Sequence, residues 1–220
     1  MSRTSLLPII ALVLFLAACS GDDDASPADP SDLSRATTTT LPDLDLSLTR
    51  SELVSDSAAR SELTDPVRAE VLGVVEELLE SASLTPMVTG SVVGDLGALF
   101  TTDAGERAGG PDRHLMIDEG LPRSFRVEVL RSDVGLTGLG GAVEPVQMVV
   151  ARVRLELRSV SWRGVEVARV ARSGDLTLIP TDDGWRISEY QVSVERDVAP
   201  RAQRRARGSR WTAVEPDGDD

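Results

Sequence analysis

The spacing of the apolar residues changes once along the chain, from three and four residues to two. Between Val67 and Ala82 aliphatic side chains recur at three- and four-residue intervals, with glutamates on the opposite side. This period is typical of an amphipathic α-helix packed against a core. From Phe125 onward apolar residues alternate with arginines and glutamates, as in strands with one buried and one solvated face. Helices first and strands afterwards predict an α+β fold.

The helical part begins with a start signal. Thr64 is a capping residue type, and Pro66 fits the first helical turn, where its missing N–H costs no hydrogen bond. Pro86 is predicted to end this helix, because proline lacks the donor that a helix interior needs. Two shorter helical segments are expected after it, over residues 94–100 and 104–117.

Four consecutive strands are predicted after Phe125. The alternation is clearest over 149–157, and Asp182-Asp183-Gly184 is a signal for a tight hairpin before the last strand. Near Ser173-Gly174 the inward-facing set of residues shifts, which indicates a bulge or a bend. We therefore expect a curved four-stranded antiparallel sheet with the N-terminal helices packed on its apolar face.

The N-terminus has the three regions of an export signal. Arg3 gives a short basic region, an apolar run extends from Leu6 to Leu16, and Ala17 and Ala18 precede Cys19. The apolar run is too short to cross a bilayer as a permanent helix. An ordinary secretory signal with a chance cysteine and a buried apolar helix are the alternatives.

The segment Leu16-Ala17-Ala18-Cys19 resembles the lipobox of bacterial lipoproteins, and Cys19 is the only cysteine in the chain. The resemblance implies cleavage between Ala18 and Cys19 and a lipid thioether on Cys19, with palmitate-type acyl chains. Two or three acyl chains hold a protein at a membrane stably, whereas one binds only marginally. Residues 1–18 are accordingly predicted to be a lipoprotein signal peptide, and the protein is expected at the outer face of the cytoplasmic membrane.

The remaining boundaries follow from composition. Residues 19–63 are rich in acidic residues, Ser, Thr and Pro, and are predicted to be a linker. Within them residues 44–48 alternate, and they form either an edge strand or more linker, with linker favoured. The domain is expected over 64–198, followed by a disordered tail with charges of both signs over 199–220.

The charge of the chain limits its partners. The formal net charge is −13 at pH 7, and the 23 basic residues are all arginine. Binding to nucleic acid is not expected, because affinity for a phosphate backbone depends on basic side chains. Arginine without lysine is typical of a high-GC bacterial genome. Aromatic residues make up 3% of the chain, too few for a platform on which bases or sugars stack.

Few side chains are available for catalysis. His114 is the only histidine and Tyr190 the only tyrosine, so neither a catalytic triad nor a two-histidine metal site can be built. No cofactor or metal motif is present, and none is expected to be needed. The candidate residues for a ligand pocket are Tyr190, His114 and Trp185, with Asp103, Asp112 and Asp118 near its mouth.

The last predicted hairpin, over 176–192, and the segment 99–104 resemble the NTF2-like, cystatin-like superfamily and its actinobacterial lipoproteins. The resemblance extends over about 64–196 and implies a cone, in which a bent sheet wraps helices around a pocket. It leaves two functions open. One is a non-catalytic domain that binds a small apolar ligand or docks an envelope protein, which the scarcity of titratable groups favours. The other is an isomerase or hydrolase-type enzyme that uses Tyr190 or His114 as acid or base.

Overall fold

The computed structural model describes residues 41–55, 60–91, 95–140 and 145–200, which form one mixed β-sheet and several short helices. All of them belong to one compact unit. The predicted α+β class is confirmed. The strands are β1 Ser47–Val54, β2 Arg60–Ser61, β3 Arg126–Leu139, β4 Met148–Val160, β5 Glu166–Thr181 and β6 Gly184–Val198. The α-helices are α1 Asp65–Leu79, α2 Thr85–Thr89, α3 Thr102–Gly109 and α4 Arg113–Met116.

Strands β3 to β6 form an antiparallel meander. Each pairs with the next along the chain, and Arg126 of β3 lies opposite Val160 of β4. The predicted hairpin at Asp182-Asp183 is confirmed, because Thr181 and Gly184 are register partners on either side of it. The period-two alternation from Phe125 onward therefore predicted four strands correctly.

Two more strands extend the sheet beyond that meander. The strand order is β2-β1-β3-β4-β5-β6, and β1 pairs with β3 in parallel, from Ser47 opposite Asp133 to Val54 opposite Leu139. The prediction of a four-stranded, wholly antiparallel sheet was wrong. The prediction that the linker extends to residue 63 was also wrong, because β1 lies before that residue and Leu44 is buried in the core. Most residues of β1 are polar and partly exposed, which hid the strand in the sequence.

Helical structure does not stop at Pro86. A π-helical turn, Glu80–Leu84, follows α1 directly and leads into α2, which contains Pro86 and is capped by Gly90. Pro86 has no N–H to donate to the carbonyl of Ala82. That carbonyl accepts instead from the Asp118 N–H at 2.8 Å. The prediction that Pro86 ends the helix failed because the Ala82 carbonyl, which Pro86 cannot bond, accepts a hydrogen bond from the Asp118 N–H.

The segment after α2 forms short helices, as expected. A 3₁₀ turn over Leu96–Leu99 begins with the Asp95 side chain, which accepts from the Gly97 N–H at 2.9 Å. The expected helical region over 104–117 consists of α3 and α4. The segment is tied to the edge of the sheet, because the Thr101 N–H donates to the Ile187 carbonyl of β6 at 2.9 Å.

One hydrophobic cluster joins the helices to the sheet. Helix α1 contributes Val71, Val75, Leu78 and Leu79, as its three- and four-residue spacing predicted. The sheet contributes the inward-facing residues of four strands, among them Leu136, Leu155, Leu157, Leu176, Leu178 and Ile187. The opposite face of the sheet carries ion pairs, including a two-bond pair in which Arg152 donates to Asp175 at 2.8 and 2.9 Å.

The inward-facing set of β5 does not shift at Ser173-Gly174. Alternate residues stay inward from Ala168 to Leu178, with Arg172 among them, and Gly174 keeps regular partners on both neighbouring strands. A Cβ atom on Gly174 would lie 2.1 Å from the carbonyl oxygen of Gln191. Glycine therefore permits a close approach of β6 at this position. The register between β5 and β6 shifts later, at Thr177/Leu178.

Candidate functional site

The most buried charged side chains among the described residues, Asp118 and Arg172, belong to a cluster around Asp118. This residue follows α4, and its carboxylate is completely buried. Its Oδ2 accepts from Arg172 Nη2 of β5 at 2.9 Å and from the Ser83 hydroxyl at 2.6 Å. Its Oδ1 accepts from Arg196 Nε of β6 at 2.6 Å. One carboxylate thus connects the π-helical turn to the last two strands.

Each of the two arginines also donates to a backbone carbonyl within the cluster. Arg172 is 2% exposed and donates from Nη1 to the Leu115 carbonyl at 2.7 Å. Arg196 donates from Nη2 to the Ile117 carbonyl at 3.1 Å. Burial lowers the pKa of the Arg172 guanidinium, and the Asp118 carboxylate opposes that effect. The cluster therefore fixes the segment after α4 against the sheet, and its carboxylate is fully buried and already bonded on both oxygens.

This cluster was not predicted from the sequence. Asp118 was expected at the mouth of a pocket, but it is buried beneath the helices. The available signal was Arg172, which stands at an inward position of an otherwise apolar strand. A buried charge needs a partner, so that position predicts a buried carboxylate somewhere else in the chain.

Tyr190 lies on β6 and packs against α3 and the residues on either side of that helix. Its hydroxyl donates to Asp112 Oδ2 at 2.8 Å, and its ring meets Phe100 edge to face with centroids 5.9 Å apart. The Arg107 guanidinium lies 5.4 Å from the centre of the same ring. Burial, followed by the effects of Asp112, raises the pKa of Tyr190 to about 12. A phenol with this pKa is a poor proton donor or acceptor near neutral pH.

The structure does not bring the three candidate pocket residues together. His114 is exposed, and its Nδ1 lies 3.1 Å from the Pro111 carbonyl oxygen. It points away from the core because Met116, two residues later in the same short helix, is buried. Trp185 is buried in the core at the start of β6. None of the three lines the cavity described next, so a pocket formed by Tyr190, His114 and Trp185 stays a prediction.

A cavity lies elsewhere, between the 3₁₀ turn, α3 and α4. Its volume is about 390 Å³, within the range of small-molecule sites. Apolar side chains make up much of its lining, and two charged side chains, Asp95 and Arg113, also border it. The apolar members are Leu96, Phe100, Ala108, Met116 and Ile117.

The two charged side chains at the cavity are already engaged. Asp95 caps the 3₁₀ turn, and Arg113 donates to both carboxylate oxygens of Glu119, at 2.5 and 3.1 Å. The hydrogen bond from Arg113 lowers the pKa of Glu119. Arg113 is partly exposed at this position, so its guanidinium can also face a molecule in the cavity.

The sequence contains one signal for this cavity. Gly105, Ala108 and Gly109 recur at three- and four-residue spacing in α3, and all three line it. Small residues on one helix face leave room that larger side chains would fill. The signal is weak without the tertiary structure, because the same residues are common on exposed helix faces.

The chain matches no protein-family model, no curated protein and no solved structure. Within the described residues, no helix combines the length and apolar character needed to cross a membrane. In the same part of the chain, no three His, Cys, Asp or Glu side chains are grouped so that they could hold a metal ion. Ala18 and Cys19 lie outside the described residues.

Proposed function

We propose that this protein is a lipid-anchored protein of the cell envelope, whose domain binds a small apolar ligand without catalysing a reaction. The observation that carries the proposal is the cavity of about 390 Å³ beside α3. Its lining resembles that of small-molecule sites, which are mostly apolar with a few polar groups that orient the ligand.

The ligand class follows from the lining. Side chains such as Leu96, Phe100 and Met116 favour a hydrocarbon or aromatic body, because burying apolar surface is favourable by about 25 cal/mol per Å². Arg113 borders the cavity and favours an acceptor group at one end of that ligand. An amphiphile with a short acyl chain and a carboxylate has both properties.

Among the described residues, Tyr190 and His114 do not converge on the cavity, which favours binding over catalysis. The raised pKa of Tyr190 weakens the alternative in which it acts as a general acid or base. His114 is exposed and does not line the cavity. The isomerase or hydrolase alternative therefore has less support than the binding function.

The anchor and the fold family are part of the same proposal. The lipobox-like segment before Cys19 supports attachment to the outer face of the cytoplasmic membrane. The meander formed by β3 to β6, with α1 packed against its apolar face, supports an NTF2-like cone. On this view β1 and β2 are additions to the usual pattern of that superfamily.

Filling the cavity tests the binding function. Gly109 lines the cavity, and a Cβ added to it meets nothing within 4 Å. Gly109→Leu should therefore add a large side chain at the border of the cavity without a backbone clash. Gly73→Leu is the matched control, because Gly73 has equal free space in α1 and does not line the cavity.

The probe is decanoate, measured by displacement of anilinonaphthalene sulfonate fluorescence. We expect saturable binding to the parent chain, at least about tenfold weaker binding to Gly109→Leu, and unchanged binding to Gly73→Leu. Equal affinities for the two variants, or no saturable binding to the parent, would contradict the proposed site.

A further inference from the structure

Three exposed apolar side chains lie at one end of the sheet. Trp162 is 70% exposed, Val165 is 63% exposed and Phe125 is 50% exposed, the highest values among the large apolar residues of the described chain. Trp162 and Val165 belong to the turn between β4 and β5, which closes with a hydrogen bond from the Ser161 N–H to the Val165 carbonyl at 2.8 Å. We name Phe125, Trp162 and Val165 the apolar tip.

Hydrogen bonding and register bring these residues to the same end. The Phe125 N–H donates to the Val160 carbonyl at 3.0 Å, so the start of β3 lies beside the end of β4. Val160 is in turn the register partner of Glu166, at the start of β5. The three residues of the apolar tip therefore lie at the same end of the sheet.

The two continuations of the chain lie toward this end of the sheet. Strand β1 begins at Ser47 opposite Asp133, midway along β3, and because the two strands run parallel the residues before Ser47 approach from the side on which β3 begins. Strand β6 finishes at Val198, opposite Ala168 near the start of β5. The segment that follows Pro200 is thus attached near the apolar tip, and the segment that carries Cys19 approaches β1 from the same side.

The charges differ between the two ends of the sheet. At the apolar tip the Arg163 guanidinium lies 4.4 Å from the centre of the Trp162 ring, whereas Arg126, which follows Phe125, is paired with Glu128. At the opposite end the hairpin between β5 and β6 carries Asp182 and Asp183. A chain with a net charge of −13 is repelled by anionic lipids, and Arg163 opposes that repulsion locally at the tip.

We propose that the apolar tip contacts the surface of the membrane to which Cys19 is anchored. Tryptophan and phenylalanine rings combine with arginine at this tip, and such a group suits the boundary between headgroups and acyl chains. The proposal rests on the lipid anchor of the proposed function. The roughly 20 residues between Cys19 and Leu41 span at most about 70 Å when fully extended, so the anchor keeps the tip at a high local lipid concentration.

The test attaches the chain to vesicles chemically. The protein from Cys19 onward retains every described residue, and its only cysteine can be coupled to a maleimide-headgroup lipid. The vesicles contain equal parts of phosphatidylcholine and phosphatidylglycerol, with or without bromine on the acyl chains. In a Trp211→Phe background, the emission comes from Trp162 and from the buried Trp185.

We expect brominated lipid to quench the Trp162 emission. The double variant Phe125→Ser/Val165→Ser should reduce that quenching severalfold. The matched control is Leu48→Ser/Leu139→Ser, which removes two exposed leucines elsewhere on the sheet and should leave the quenching unchanged. Absence of quenching, or equal quenching in both double variants, would overturn the proposal.

A second copy of the chain is the competing occupant of the tip. Self-association in sedimentation without vesicles, lost in the Phe125→Ser/Val165→Ser variant, would assign the tip to that contact and overturn the membrane proposal. Because the coupling is chemical, this result does not depend on lipidation in the cell. A failure here is therefore distinct from a failure of the anchor.

Discussion

The Asp118 carboxylate bonds to Arg172 Nη2 at 2.9 Å on one oxygen and to Arg196 Nε at 2.6 Å on the other. Asp118 and Arg172, the two fully buried ions, therefore differ in the number of their charged partners. Asp118 has two cationic partners, whereas the only carboxylate that Arg172 contacts among the described residues is Asp118. Removal of the carboxylate leaves a buried guanidinium without a counterion.

We expect Asp118→Ala to lower the free energy of unfolding by about 3–5 kcal/mol, since breaking a buried pair leaves an uncompensated charge. Arg172→Met should cost less, because Asp118 keeps Arg196 and the new side chain is apolar. Asp175→Ala, which removes a surface pair, should cost about 1 kcal/mol or less. Denaturant unfolding measures all three, and a larger loss for Arg172→Met than for Asp118→Ala would contradict this view of the cluster.

Gly174→Ala should destabilise the protein by about 1–3 kcal/mol, because the new methyl group meets the backbone of β6. Gly73→Ala is the control, since its site in α1 is open and alanine favours a helix by about 0.5–1 kcal/mol. Thermal unfolding of both variants gives the comparison. Opposite signs are expected, and a neutral Gly174→Ala would mean that β6 can move away.

The single tyrosine makes its titration directly visible. Tyrosinate absorbance of the folded protein should give a midpoint near 12 rather than the ordinary 10.0. Because the folded pKa is raised, the contribution of Tyr190 to stability is complete below pH 10 and is lost as the pH rises through about 12. Asp112→Ala should lower the midpoint, since Asp112 raises it through a hydrogen bond and its charge. An unchanged midpoint in Asp112→Ala would show that burial alone sets the pKa.

Cys19→Ser tests the anchor in cells. The variant should lose its lipid and leave the membrane fraction, because the thiol is the proposed attachment point. Partitioning between membrane and soluble fractions measures this change, and Cys19→Ser combined with Phe125→Ser shows how much binding the tip retains. Membrane retention of Cys19→Ser equal to that of the parent would contradict lipid anchoring.

The helix and strand periods predicted the largest part of the fold because they report on burial along single elements. The face of α1 with Val71 and Val75 and the hairpin at Asp182-Asp183 follow from local patterns of this kind. Strand β1 could not be predicted in the same way. Its pairing with β3 connects residues far apart in the sequence, and the alternation over 44–48 reaches only its first two residues, while most of the others are polar.

The candidate site was less predictable than the fold. Histidine and tyrosine were singled out for their chemistry, yet the side-chain directions of His114 and Tyr190 depend on tertiary packing. The effect of Pro86 depended on a donor from Asp118, which is distant in sequence. In each case a contact between remote segments decided the outcome, and single-sequence periodicity contains no information about such contacts.

The parallel pairing of β1 with β3 has a mechanical consequence. A pulling force applied through the residues before Ser47 acts along the strand axis and loads the hydrogen bonds in shear. Seven register pairs then resist together, instead of opening one after another as in a peeled hairpin. A domain held by its N-terminal side would therefore transmit tension through these bonds into the centre of its sheet.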